Sequence, residues 1–117
     1  MMNIDDSLKK YLEINNEITI TAKGNSMIPT IYSEDTVTVS NDINSLKDGD
    51  VILYYKRDKS KDIFIIHRIL YSIKNKIFIT KGDNNKDNDT PVRKKHIIGK
   101  VISIQHKVQK NMGGTYE

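Results

Sequence analysis

Three kinds of side chain in this 117-residue chain could do chemistry together: a hydroxyl, an imidazole and a knot of carboxylates. Ser26 lies in "KGNSMIPTI" (23–31), two residues after Gly24 and three before Pro29. Glycine permits unusual backbone angles or close approach, while proline fixes its own φ and biases the residue before it, Ile28, toward an extended shape. A serine held that still suits a nucleophile, with nearby backbone N–H groups free to bind an oxyanion. The same letters also suit a turn serine that caps its own backbone. His67 lies in "FIIHRIL" (64–70). As a strand, that run puts His67 on one face with Ile63, Ile65, Ile69 and Tyr71, and Arg68 on the other with Phe64, Ile66 and Leu70. An imidazole in that setting serves either as a hydrogen-bonded core residue or as a general base, the latter gaining activity as it loses its proton around pH 6–7.

The carboxylates crowd into "KGDNNKDND" (81–89), where Asp83, Asp87 and Asp89 alternate with Asn84, Asn85 and Asn88. Calcium is a poor fit. An EF-hand loop starting at Asp83 needs Gly at its sixth place and Glu at its twelfth, and the chain has Asn88 and Lys94 there. An Asx-rich turn is one reading. A carboxylate that orients an imidazole is the other. His67, His96 and His106 lack ligand spacing and cysteine is absent, so neither metal nor other cofactor is expected.

The elements that must position these groups are mostly strands. Leu8, Tyr11 and Leu12 at i, i+3, i+4 predict a short helix over 5–13. Strands are predicted over 17–23, 35–40, 50–56, 62–72, 76–81 and 97–105, with turn residues between them. Short connections imply an antiparallel system, partly closed or double-layered. Apolar runs such as "VILYY" (51–55) are far shorter than the roughly 20 residues a bilayer needs, and the first residues lack the apolar stretch of a secretory signal. The net charge of +4 is spread through the chain, and "RKKH" (93–96) has no interleaved aromatics to stack bases, so no nucleic-acid partner is expected.

Taken in order, "GNSMIPTI", "LKDGDVILYYK", "IHRIL", "TKGDNN" with a following Asp, and "IIGKV" resemble the signal peptidase I and self-cleaving repressor superfamily of serine peptidases, over about residues 18–104. In that superfamily the bacterial and mitochondrial signal peptidases and the repressors use lysine as the base. The endoplasmic-reticulum type, shared with archaea and some spore-forming bacteria, has histidine in a His-Arg pair, and "IHRIL" resembles that branch. The resemblance implies a mainly β catalytic core of coiled antiparallel sheets, a partly closed barrel, over 17–106. A short helix and lead-in (1–16) would precede it and a flexible tail (107–117) would follow.

It further implies Ser26 as nucleophile, His67 as general base, Asp89 as orienting acid and Asp83 as a supporting acid in the same turn. Gly24 and Met27 would lie against the substrate, an extended peptide or precursor with small side chains at P1 and P3. Three departures stand out. No membrane anchor precedes Ser26, the position two before it is Gly24 rather than a small hydroxyl residue, and the region after His67 is short. These features lead us to expect a cytoplasmic, anchor-less endopeptidase that trims a peptide or precursor, possible targets including the leader of a ribosomally made peptide, with a membrane or peptide-carrier partner to present it. The competing readings are an inactive peptide-binding module of the same fold and a self-cleaving regulator. The regulator needs a DNA-binding domain, for which 25 residues before Ser26 are too few.

Overall fold

The computed structural model of the chain describes residues 4–108. Helix α1 (Ile4–Asn15) runs slightly beyond the expected 5–13. Leu12 is its anchor in the core, with Leu8 packed beside it, whereas Tyr11 faces outward. The helix stops at Asn16, whose positive φ of 68° is a conformation asparagine tolerates, and whose N–H returns to the Leu12 carbonyl. Among the described residues no helix is long and apolar enough to cross a membrane.

Seven strands follow: β1 (Glu17–Thr21), β2 (Thr36–Ser40), β3 (Val51–Asp58), β4 (Lys61–Ile73), β5 (Ile77–Lys81), β6 (Val92–Arg93) and β7 (Ile97–Gln105). They form one antiparallel sheet in the order β1-β2-β7-β3-β4-β5-β6. The expected mainly β, antiparallel core with one short helix is what the chain adopts. The sheet does not close, since β1 and β6 stand at its two ends. Six strands fall close to their expected places. The two-residue β6, lying between Pro91 and the basic stretch, was not anticipated because nothing in "TPVRKK" alternates.

The strand β3 is buried on both faces, which explains why "VILYY" is continuously apolar instead of alternating. Val51 and Leu53 join Met27, Ile31, Val37 and Val39 in one core. Ile52 and Tyr54 join Ile69, Phe78, Val92 and Ile97 in a second. Tight turns link the long hairpins. The β4–β5 connection spans residues 74–76 between the paired Ile73 and Ile77; it turns on Lys74 and Asn75, both at positive φ (52° and 56°), and the Lys76 N–H donates to Ile73 O at 3.0 Å. The connection from β1 to β2 is different, because residues 22–35 form a wide loop between two paired strands. Its neck is closed by Ala22 N–H to Asp35 O and Glu34 N–H to Ala22 O, both 2.8 Å. That loop carries Ser26. Of the tail expected from 107 onward, residues 109–117 lie outside the described residues, and the Lys107 N–H donates to Asp35 Oδ1 at 2.8 Å.

Candidate active site

Ser26 rides on the 22–35 loop, and its position is fixed from below and from the side. Met27 and Ile31 are buried in the first core, and the Thr30 and Ile31 N–H groups both donate to Met27 O at 2.7 and 2.9 Å. Gly24 adopts a φ of 87°, where its lack of a Cβ matters. The Ile28–Pro29 peptide is cis. A second loop, 82–91, presses on this one. The Asn84 N–H donates to the Ser26 carbonyl at 2.7 Å and the Asn84 side chain donates to Asn25 O at 3.1 Å. Lys81 Nζ braces that turn by donating to Gly82 O and Asn85 O.

The imidazole comes from β4. His67 pairs with Ile52 of β3 and is buried, with 7% of its surface exposed. Its Nε2 lies 3.0 Å from Ser26 Oγ, and its Nδ1 lies 2.6 Å from Asp89 Oδ2. An ionised carboxylate only accepts, so Nδ1 carries the proton toward Asp89 and Nε2 of the neutral ring is left to accept from the serine hydroxyl. Asp89 is placed by its own N–H, which donates to Thr80 O at 2.8 Å, and by two hydroxyls that donate to Oδ2: Thr80 Oγ1 at 2.7 Å and Tyr54 at 3.1 Å. Burial first, and the neighbouring Asp89 charge after it, push the Tyr54 phenol well above its ordinary value, so it stays a donor.

Asp83 does not touch His67. It takes a fork from Arg68, with Nε to Oδ1 at 2.9 Å and an η-nitrogen to Oδ2 at 2.7 Å, and accepts Thr30 Oγ1 at 2.6 Å. Arg68 also donates to Gly49 O at 2.8 Å. The Arg68 fork, followed by the Thr30 hydroxyl, holds the Asp83 carboxyl below its ordinary value of 3.8, and the same pairing raises Arg68 further. This bridge ties the serine loop to the carboxylate loop through β4. Asp87 is exposed on the loop and makes no part of the cluster.

The expected Ser26, His67 and Asp89 thus converge, whereas Asp83 lies outside that cluster, paired with Arg68 and Thr30. Gly24 lines the cleft, and Met27 lies under it with 4% of its surface exposed, its Sδ accepting the Asp83 N–H at 3.4 Å. Tyr54, Thr80 and Arg68 were missed as site residues. Tyr54 reads as core within "VILYY", and Arg68 reads only as the neighbour of His67 on the opposite face of its strand. The faint signals were a threonine on the buried parity of "IFITK" and an arginine amid apolar neighbours. A cleft of about 1200 Å³ opens beside the cluster, bounded by the end of β1, the 22–27 stretch, β4 from Phe64 to His67, and the 88–92 stretch. Among the described residues no group of three or more His, Cys, Asp or Glu side chains gathers to hold a metal ion.

A serine hydroxyl bonded to a buried imidazole that is itself bonded to a carboxylate is an arrangement that can lose a proton from oxygen as it attacks a carbonyl. Comparison with known proteins points the same way. A family model described as Peptidase S24-like matches residues 4–102. The chain is 40% identical over 85 residues to the signal peptidase complex catalytic subunit SEC11 of Zygosaccharomyces rouxii, covering 68% of this chain and 50% of that protein. It therefore spans about half the length of the curated relative it matches. No solved structure matches. On the family match and this relative together, the chain belongs to the Peptidase S24-like family, within the signal peptidase and self-cleaving repressor superfamily of serine peptidases, on its endoplasmic-reticulum-type branch.

Proposed function

We propose that the chain is a serine endopeptidase that cuts a peptide or precursor through an acyl-enzyme, with Ser26 as nucleophile, His67 as general base and Asp89 as the orienting acid. The observation that carries this reading is the continuous relay from Asp89 Oδ2 to His67 Nδ1 at 2.6 Å and from His67 Nε2 to Ser26 Oγ at 3.0 Å. His67 takes the Ser26 proton as Oγ attacks the scissile carbonyl, and Asp89 stabilises the imidazolium that forms. The tetrahedral oxyanion is met by backbone N–H groups at and near Ser26, because Gly24 offers no hydroxyl. His67 then protonates the leaving amine. Water then gives a proton to His67 as it attacks the acyl-enzyme, and His67 returns that proton to Ser26 Oγ as the acyl–oxygen bond breaks and the carboxylic acid leaves.

The substrate lies as an added strand. Two edges on the cleft support this. In β4 the stretch Lys61–His67 pairs with β3 alone, because β5 pairing begins at Arg68, and β1 pairs with β2 alone. An extended peptide between them gains main-chain hydrogen bonds from the edges and meets Gly24 and Met27 beside Ser26. The relative is named as a subunit of a signal peptidase complex, which supports a precursor substrate here and a membrane or peptide-carrier partner that presents it.

The test is incubation with a library of extended peptides, read by mass spectrometry. Cleavage that Ser26→Ala lowers by at least about a thousandfold is expected from the behaviour of serine triads. Peptide binding without cleavage, equal for wild type and Ser26→Ala, identifies a binding module instead and ends the peptidase reading.

A further inference from the structure

We infer that Tyr54 is a positioning residue, its hydroxyl holding the Asp89 carboxylate in line with His67; the inference rests on reading Ser26, His67 and Asp89 as the reacting set. Asp89 sits on a loop, whereas the imidazole it must face is set in the middle of a strand. A loop carboxylate needs outside restraint to keep one rotamer, and here the restraint comes from the sheet. Tyr54 of β3 reaches Asp89 Oδ2 at 3.1 Å, and Thr80 of β5 reaches the same oxygen at 2.7 Å. With His67 Nδ1 at 2.6 Å, three donors from three strands converge on one oxygen.

Core packing alone does not call for a phenol at this position. Tyr54 is 3% exposed among Ile52, Ile69, Phe78 and Val92, where a phenylalanine ring would pack as well. A hydroxyl buried there costs stability unless it is bonded, and the partner it finds is the carboxylate. The ring also stands edge-on to His67, with centroids 6.4 Å apart and planes at 68°, so the same side chain limits tilting of the imidazole. Tyr54 acts through Asp89 and does not share in proton transfer. As the imidazolium forms, Asp89 must stay put against it, and the two hydroxyls hold it there.

The test uses the full chain as wild type, Tyr54→Phe, Thr80→Val, Asp89→Asn and the Tyr54→Phe/Asp89→Asn pair, each checked for cooperative melting. The first readout is the rate at which Ser26 is labelled by a fluorophosphonate, followed by intact mass. Tyr54→Phe is expected to slow labelling about ten- to hundredfold, the span of a hydrogen bond to a charged group, and Thr80→Val to slow it as well. In the Asp89→Asn background, Tyr54→Phe should add less than about twofold, because its route of action is already gone. A full effect in that background shows that Tyr54 acts by packing and overturns the inference, as does a labelling rate unchanged in Tyr54→Phe.

The second readout needs no reaction. The His67 Nδ1–H proton, assigned by its loss from the low-field ¹H spectrum in Asp89→Asn, should move in Tyr54→Phe as the carboxylate is freed of one donor. Wild type that neither labels nor cuts, with this resonance moving, refutes the peptidase reading and leaves the Tyr54–Asp89 coupling intact. Wild type that labels, with rate and resonance both indifferent to Tyr54→Phe, refutes the coupling alone. Should Tyr54→Phe fail to melt cooperatively, Thr80→Val decides by the same two readouts, and its indifference in both overturns the inference.

Discussion

Gly82 lies against His67 so closely that a Cβ on it would stand 2.9 Å from the imidazole Nε2, the nitrogen that faces Ser26. The same atom would meet Ser26 O at 2.7 Å, a backbone contact with little room to yield. We expect Gly82→Ala to keep the fold but displace His67 or Ser26 by a fraction of an ångström, lowering kcat/KM by about a hundredfold. Peptide cleavage and thermal melting, measured side by side, check this. Activity within twofold of wild type would mean that the two loops shift without cost.

The two carboxylates of the 82–91 loop predict opposite outcomes. Asp89→Asn removes the charge that fixes the imidazole tautomer, and kcat should fall by about four orders of magnitude. Asp87→Asn alters an exposed side chain away from the cluster, so kcat should stay within about twofold. Steady-state kinetics on one peptide for both variants suffices, and the reverse ranking would show that the acid is wrongly assigned.

Acid should unfold the protein through Asp83 and Asp35. The Arg68 fork, then the Thr30 hydroxyl, lowers the Asp83 carboxyl below 3.8. The N–H groups of Tyr32 and Lys107, with His106 after them, lower Asp35, whose Oδ2 accepts from Tyr32 N–H at 2.8 Å and lies 2.7 Å from His106 Nδ1. Both carboxyls bind protons more weakly folded than unfolded. The stability they contribute is therefore complete above about pH 4 and lost as pH falls through their lowered values. Urea unfolding between pH 6 and pH 2 should show this limb. Asp83→Asn should cost about 1–2 kcal/mol at neutral pH, since the pair is partly exposed, and should make the limb shallower. An Asp83→Asn/Asp35→Asn variant with an equally steep limb would assign the acid sensitivity to other groups.

The candidate site could be read from the chain because its motifs, taken in order, resemble a known superfamily. The resemblance implied Ser26 between Gly24 and Pro29, His67 beside Arg68, and Asp89 six residues after Asp83, whereas each segment alone also suited a structural role. What stayed hidden depends on pairings between distant segments. No local pattern says that β7 inserts between β2 and β3, or that Tyr54 of "VILYY" would point its hydroxyl at a residue 35 positions away. Met27 shows the same limit. The resemblance set it against the substrate, and no local pattern shows that most of its surface also packs in the core or that its sulfur takes the Asp83 N–H. The Arg68–Asp83 fork was illegible too, since an arginine in a strand gives no hint of which loop will fold over it.

The insertion of β7 also sets an order of events. In the sheet, the hairpin that bears Ser26 and the hairpin that bears His67 share no ladder, and Ile97–Gln105 is the plank laid between them. A growing polypeptide releases both hairpins before that plank emerges. The hydroxyl and the imidazole thus gain their common frame only once Ile97–Gln105 has emerged and been laid between them.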